Sequence, residues 1–220
     1  ELVKIKLTLL VNFILTLTNG WSGSRRGIPV YDLWLQEYLP LLKYDEMILD
    51  LGCGIGANTR YLIEQGFQVL SCDYSLEALK NVKEFIKGSQ TKYLNMNDPF
   101  PFNDDSFKVI VADISLHYFL DTKTIQIMKE IRRILKPDGI LLARVSSIHD
   151  TFNVSNDDDP DSRYHDYGSY GQRYMNESDL KRYFGLIGDF EYREVTMVRD
   201  EPYYRHPKKL YQLKVCKRYE

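Results

Sequence analysis

The chain has only three cysteines, four histidines and two tryptophans, and no excess of either charge. Cys53, Cys72 and Cys216 are odd in number and far apart. That excludes a disulfide framework and metal-ligand spacing, and suits a reducing compartment, so the expected location is cytoplasmic. A net charge of −2 over 220 residues argues against a nucleic-acid binder that relies on broad phosphate neutralisation, although a local basic patch stays open. Long apolar runs are also missing. The candidate LTLLVNFILTLT, after Lys4 and Lys6, contains Asn12 and several threonines, is too short to cross a bilayer, and has no small-x-small cleavage site behind it. Residues 1–27 are therefore expected to be an extension, a helix or strand covering the sheet or a neighbouring subunit. No internal repeat is present, and the length suits one domain with a sizeable core.

What the chain does have is the stretch ILDLGCGIGANTRYL, Ile48–Leu62. A short apolar run leads into Asp50, glycines follow at 52, 54 and 56, and an amphipathic helix begins near Ala57. This reads as strand, tight turn and helix N-terminus, the place where open α/β sheets hold ligands. Gly52, Gly54 and Ala57 satisfy the dinucleotide pattern formally. Asp50 speaks against it, because a carboxylate at the mouth of the turn repels a pyrophosphate and attracts a cationic amino-acid head. Asp73 closes the second strand about twenty residues after the first glycine, where an acid accepts from ribose hydroxyls. Its alternative role is to cap the helix opening at Ser75.

D-L-G-C-G-I-G resembles motif I of the class I S-adenosylmethionine-dependent methyltransferases. The loop NMNDPFPFNDDSF is similar to the segment that meets adenine in that family, with Asn95 and Met96 the nearest match and Asp98 a neighbouring alternative. S-L-H-Y-F resembles the fourth motif, and IRRILKPDGILLARV the helix–turn–strand that follows it. The resemblance is good over roughly residues 45–150. It implies a Rossmann-like single-domain α/β fold: a seven-stranded, mostly parallel sheet with an antiparallel last strand and helices on both faces, over residues 28–220. It also implies S-adenosylmethionine as cofactor, leaving as S-adenosylhomocysteine. The cofactor residues are then Asp50, Gly52, Cys53, Gly54, Asp73, Tyr74, Asn95, Met96 and Asp113.

The remaining pattern predicts a helix over 28–43 with Tyr31, Leu35, Tyr38 and Leu42 on one face, Pro29 in its first turn and Pro40 disturbing its last. Further helices are expected from 57 to Gly66, 76–86, 122–135 and 177–184, and strands at 47–51, 68–72, 92–94, 108–112, 140–146, 190–198 and 210–217. Alternation in the last strand suggests an antiparallel, half-exposed position. Residues 150–176 show no period. With tyrosines at 164, 167, 170 and 174, they are expected to form a lid over the acceptor, a static cover being the other reading.

The expected function is in-line methyl transfer to a small-molecule acceptor, with no nucleic acid or membrane partner and a homodimer left open. Asp113, His117, Tyr118 and Arg144 are the candidates for catalysis; Arg144 reaches an acidic substrate or pairs with a buried acid. Two rivals stand beside it: an NAD-dependent oxidoreductase, and a cofactor-binding regulator or scaffold without turnover.

Overall fold

A computed structural model describes residues 26–151, 153, 159–166, 171–198 and 207–218. Residues 1–25, Tyr167 and Tyr170, each part of an expectation above, lie outside the described residues.

Among the described residues nine strands form: β1 Met47–Leu51, β2 Gln68–Asp73, β3 Gln90–Tyr93, β4 Phe107–Asp113, β5 Leu135–Ser146, β6 Tyr164–Asp166, β7 Gly171–Arg173, β8 Gly188–Met197 and β9 Lys208–Lys217. Seven make one sheet in the order β3-β2-β1-β4-β5-β9-β8. The strands β3 to β5 pair in parallel, and β9 runs antiparallel to both β5 and β8. The α-helices are α1 Ala57–Glu64, α2 Leu76–Phe85, α3 Asp121–Ile134 and α4 Glu177–Phe184. The apolar strands divide their side chains between two faces by their period of two. Leu49, Leu51, Ile110, Ala112, Leu141 and Ala143 join one core with α3 and α4. Ile48, Val109, Val111 and Leu142 join the other, with Leu62, Trp34 and Leu35. Among the described residues no helix is long and apolar enough to cross a membrane.

Three expectations need correction. The helix over 28–43 shrinks to a 3-10 turn, Gln36–Leu41, with Pro40 inside it. Pro40 has no N–H for an α-ladder, and Asp32 is used elsewhere, its carboxylate accepting from Trp34 N and from Arg144. The fifth strand begins at Leu135, so KPDG is not a turn before it but an irregularity within it, with a register shift against β4 and Asp138 at φ 56°. The last strand is interior, not half-exposed. Gln212 is buried there because its amide donates to Glu37 and to Tyr38.

The insert at 150–176 is not irregular throughout. β6 and β7 pair as a short hairpin, held by two fully buried arginines. Arg163 forks onto Asp179, whose carboxylate also completes the capping box of α4 with Asn176. Arg173 donates to Tyr183, to Phe119 O (3.1 Å) and to Asp161 (2.9 Å). Tyr174 is a core residue at 2% exposure rather than a gripping surface. These anchors tie the described part of the insert to α4 and to the segment after β4. Arg163→Met leaves Asp179 buried without its cation and is expected to destabilise by about 3–5 kcal/mol. Urea denaturation checks this; a loss under about 1 kcal/mol would mean that the hairpin is not stapled there.

Candidate cofactor and acceptor site

The glycine turn is built by backbone geometry. Gly52, Gly54 and Gly56 lie at φ 74°, 54° and 96°, where a side chain is strained. The N–H groups of Gly52 and Cys53 both donate to Cys72 O, at 2.8 and 2.9 Å, which folds the turn back onto β2. A Cβ on Gly52 would lie 2.5 Å from Ser115 Cβ, and one on Gly56 would lie 2.6 Å from Ile86 Cδ1 and 2.8 Å from Val82 Cγ2. Gly56 is thus required by packing against α2, whereas Gly52 keeps the turn close to the β4 end. Gly56→Ala combines strain and overpacking and should cost about 2 kcal/mol or more; a melting curve superimposed on the native one would contradict this.

Asp50, beneath the turn, is 1% exposed. Its Oδ2 accepts from Thr59 Oγ1 at 2.6 Å, and Ser71 Oγ then donates to Thr59 at 2.7 Å. Its Oδ1 is buried with no hydrogen-bond partner. Burial, with the charges of Asp113 and Asp73 behind it, pushes the Asp50 carboxyl up to about 7. Asp73 is also buried rather than at an exposed strand tip. Its Oδ2 accepts from Gly54 N and its Oδ1 from Ser75 N, both at 2.8 Å. It therefore ties the turn to the start of α2, where Ser75 caps Ala78 N. Capping and ligand roles coexist, since each carboxylate oxygen keeps a second lone pair. Burial raises the Asp73 carboxyl, against the pull of those N–H groups. Tyr74 beside it is exposed.

At the far end, Met96 approaches Gly52 closely enough that its Cε would be 3.0 Å from an added Cβ. Asn95 turns its amide oxygen onto Asn97 N and Nδ2, at 3.0 and 3.2 Å. Met96 is thus brought to the turn, while the amide oxygen of Asn95 is engaged within its own loop.

Asp113 and Arg144 are neighbours in register on β4 and β5. The Arg144 guanidinium forks onto Asp113 at 2.7 and 2.8 Å, donates to Asp32 at 2.8 Å, and stacks on Trp34 at 4.6 Å. Burial acts to lower its pKa, but the two carboxylates prevail and raise it. Asn58 completes the network, accepting from Trp34 Nε1 and donating to Asp113. Of the two roles open to Arg144, this geometry favours the pairing with a buried acid. His117 is fully buried, with Nδ1 accepting from Ser146 N at 3.1 Å, and burial drops it to about 3. A histidine held neutral and out of reach of solvent serves as a structural acceptor. Its ring packs against Tyr118, whose carbonyl accepts from Tyr164.

Sequence reasoning missed Thr59, Ser71, Asn58, Trp34, Asp32 and Ser115, the last donating to Leu51 O at 2.9 Å. Hydroxyls and amides carry no periodic signal. It also missed Ile114, a β-branched residue at φ 53° directly after Asp113. Such strain clusters at functional sites.

A glycine turn between β1 and α1, an acid beneath it and a second acid at the end of β2 come together at the carboxyl edge of the sheet, in which β9 is reversed. A methyltransferase-domain family matches residues 49–143. YqeM of Bacillus subtilis, named as a methyltransferase, is 33% identical over 141 residues, 62% of this chain and 55% of its own length. The mitochondrial arginine-hydroxylase NDUFAF5 of Homo sapiens is 32% identical over 121 residues, 54% of this chain and 32% of its own length. The chain thus spans about half or less of these relatives. A crystal structure titled as a SAM-dependent methyltransferase from Methanosarcina mazei superposes with a TM-score of 0.64 at 20% identity, covering 87% of this chain and 100% of that one. Residues 49–143 thus match a methyltransferase-domain family, and the fold is shared with that SAM-dependent methyltransferase structure.

The residues present fit S-adenosylmethionine. The unpartnered Oδ1 of Asp50 offers an acceptor to a cationic amino group, and Asp73 offers lone pairs to ribose hydroxyls. Asp73→Asn keeps the size of the residue and weakens both its N–H bonds and the ribose contact. It should lower S-adenosylhomocysteine affinity by about 1.5–3 kcal/mol, read by calorimetry; unchanged affinity would leave Asp73 a helix cap alone.

Proposed function

We propose that this chain transfers a methyl group from S-adenosylmethionine to a small-molecule acceptor by in-line displacement. The observation that carries the reading is Asp50: a buried carboxylate oxygen without a partner, at the end of β1 where the glycine turn begins. Such an atom costs stability unless a ligand satisfies it. When bound, the cofactor supplies an electrophilic methyl group on a sulfonium. Asp50 and Asp73 hold its two ends, and the Asp113–Arg144–Asp32 network fixes the floor beside β4. The β6–β7 hairpin supports a small acceptor. It docks on the segment after β4 through Arg173 N to His117 O (2.7 Å), and on the end of β5 through Gln172 to Ser146 Oγ (2.9 Å). It thereby narrows the carboxyl edge, and excluding water there favours attack on a sulfonium.

The human relative is named for hydroxylation, so the test follows the methyl group itself. The protein, S-adenosylmethionine tritiated in its methyl group, and a small-molecule extract or unmodified tRNA are incubated separately. Label is expected in small-molecule products and not in tRNA. Label confined to tRNA would overturn the acceptor class, and cofactor binding with no label anywhere would favour the regulator reading.

A further inference from the structure

At the carboxyl edge, on the far side of β5 from the glycine turn, lies a second polar cluster. Residues Ser147–Asp150 form a turn closed by Asp150 N to Ser147 O at 3.0 Å, and Asp150 is pinned to β9 by Lys209 N at 2.8 Å. On this turn His149 N donates to Ser147 Oγ at 3.1 Å, and Ser147 Oγ donates to Glu194 Oε1 on β8. His149 Nδ1 lies 2.7 Å from the same Glu194 oxygen. Facing a carboxylate, Nδ1 carries the proton and Nε2 is the basic nitrogen. The His149 side chain is 66% exposed. A carboxylate that orients an accessible imidazole is the arrangement of a general base.

We propose that His149, oriented by Glu194, takes the proton from a hydroxyl acceptor as it is methylated. This rests on the reading above. The acceptor O–H bond breaks and its proton moves to His149 Nε2. The oxygen forms a bond to the methyl carbon while the C–S bond breaks, its electron pair going to sulfur. The product is a methyl ether with neutral S-adenosylhomocysteine, and the imidazolium, paired with Glu194, returns its proton to water. A thioether or neutral amine needs no such base before attack, which is why the dyad points to a hydroxyl, for which simple phenols are the probe.

Position supports the assignment. Glu194 pairs with Tyr211, and Tyr211 with Val145, one residue beyond the Arg144 that pairs with Asp113. Glu194 thus stands level with the end of β4 and two strands from β5, roughly 10 Å along the sheet. The dyad thus lies at the carboxyl edge of the sheet, on the far side of β5 from the glycine turn. Burial works against ionisation of Glu194, and the hydrogen bonds from Ser147 and His149 prevail, holding its carboxyl below the usual range. The other charged and titratable groups around the dyad are Lys209 and Tyr211 on β9 and Asp150 on the turn, with Glu177 on α4 acting on Tyr211.

The test uses the full chain, tritiated S-adenosylmethionine, and simple phenols with matched aromatic thiols and amines. The native protein should label phenols. His149→Ala should lower kcat about 10²–10⁴-fold and leave S-adenosylhomocysteine affinity unchanged, and added imidazole should restore part of the rate. Glu194→Gln should lower kcat less. Independently of turnover, long-range ¹H–¹⁵N spectra should show His149 as the Nδ1–H tautomer, a preference that Glu194→Gln removes. A kcat within twofold of native in His149→Ala, label on thiols or amines alone, or an Nε2–H tautomer would each overturn the proposal. Cofactor binding without label on any acceptor would instead bring down the methyl-transfer reading, and is visible in the native protein before any variant is made.

Discussion

Asp50→Asn should make the ligand-free protein more stable above pH 7 while weakening cofactor binding. The sign follows from the Asp50 carboxyl, pushed from 3.8 to about 7 by burial. Between those values the folded state holds a proton that the unfolded state has released, so Asp50 lowers stability as pH rises through this window. Three pK units correspond to about 4 kcal/mol at pH 8. Asparagine removes that cost and can still accept from Thr59, but it leaves a buried amide donor that costs about 1–3 kcal/mol. A net gain of about 1–3 kcal/mol remains at pH 8; it shrinks as pH falls and reverses to a net loss near pH 4, where only the amide cost of about 1–3 kcal/mol is left. The comparison must be made against the native protein at each pH, because His117 slopes the other way. With its folded value near 3, His117 holds fewer protons when folded, and its contribution is lost as pH falls below about 6.5. Cofactor affinity should fall about 10–150-fold, the loss of a charge-assisted hydrogen bond. Urea melts at pH 5 and 8 check the first part; an asparagine variant less stable than native at pH 8 would contradict it.

Arg144→Met should be among the most damaging single substitutions. It leaves Asp113 and Asp32 without the guanidinium that both of them bind. Breaking such a buried pair costs about 3–5 kcal/mol, which for a domain of this size lowers the melting temperature by roughly 6–20 °C. Adding Asp113→Asn should recover part of the loss, because the stranded charge goes with it. Unchanged melting with a raised KM for an acidic acceptor would instead make Arg144 a substrate-binding residue.

The reach of the sequence can be followed through particular residues. β1, β4 and β5 are legible because both faces are covered, so their apolar runs are continuous. Ser75 and the helix Glu177–Phe184 are legible because caps follow local chemistry. The hairpin β6–β7 was not, since three-residue strands carry no period and its anchors are arginines rather than apolar side chains. The helix expected over 28–43 failed because the recruitment of Asp32 by Arg144, 112 positions away in the chain, is invisible locally. In the site, Asp50 and Asp73 stood out by their spacing from the glycines. Their burial did not, because it depends on Thr59 and on how closely the turn packs against β2. His117 looked like a catalytic candidate from its motif. The backbone N–H of Ser146 that occupies its Nδ1 comes from another strand. His149 carried no motif at all and becomes visible only when β8 brings Glu194 beside it.

The most direct measurement of the central claim is calorimetric titration and thermal melting with S-adenosylhomocysteine and with NADH. S-adenosylhomocysteine should bind one-to-one and, at a hundredfold excess over its dissociation constant, stabilise the protein by about 2.7 kcal/mol. That is a rise of roughly 5–10 °C, and NADH should give none. Heat and a melting shift with NADH, and no response to S-adenosylhomocysteine, would contradict the account.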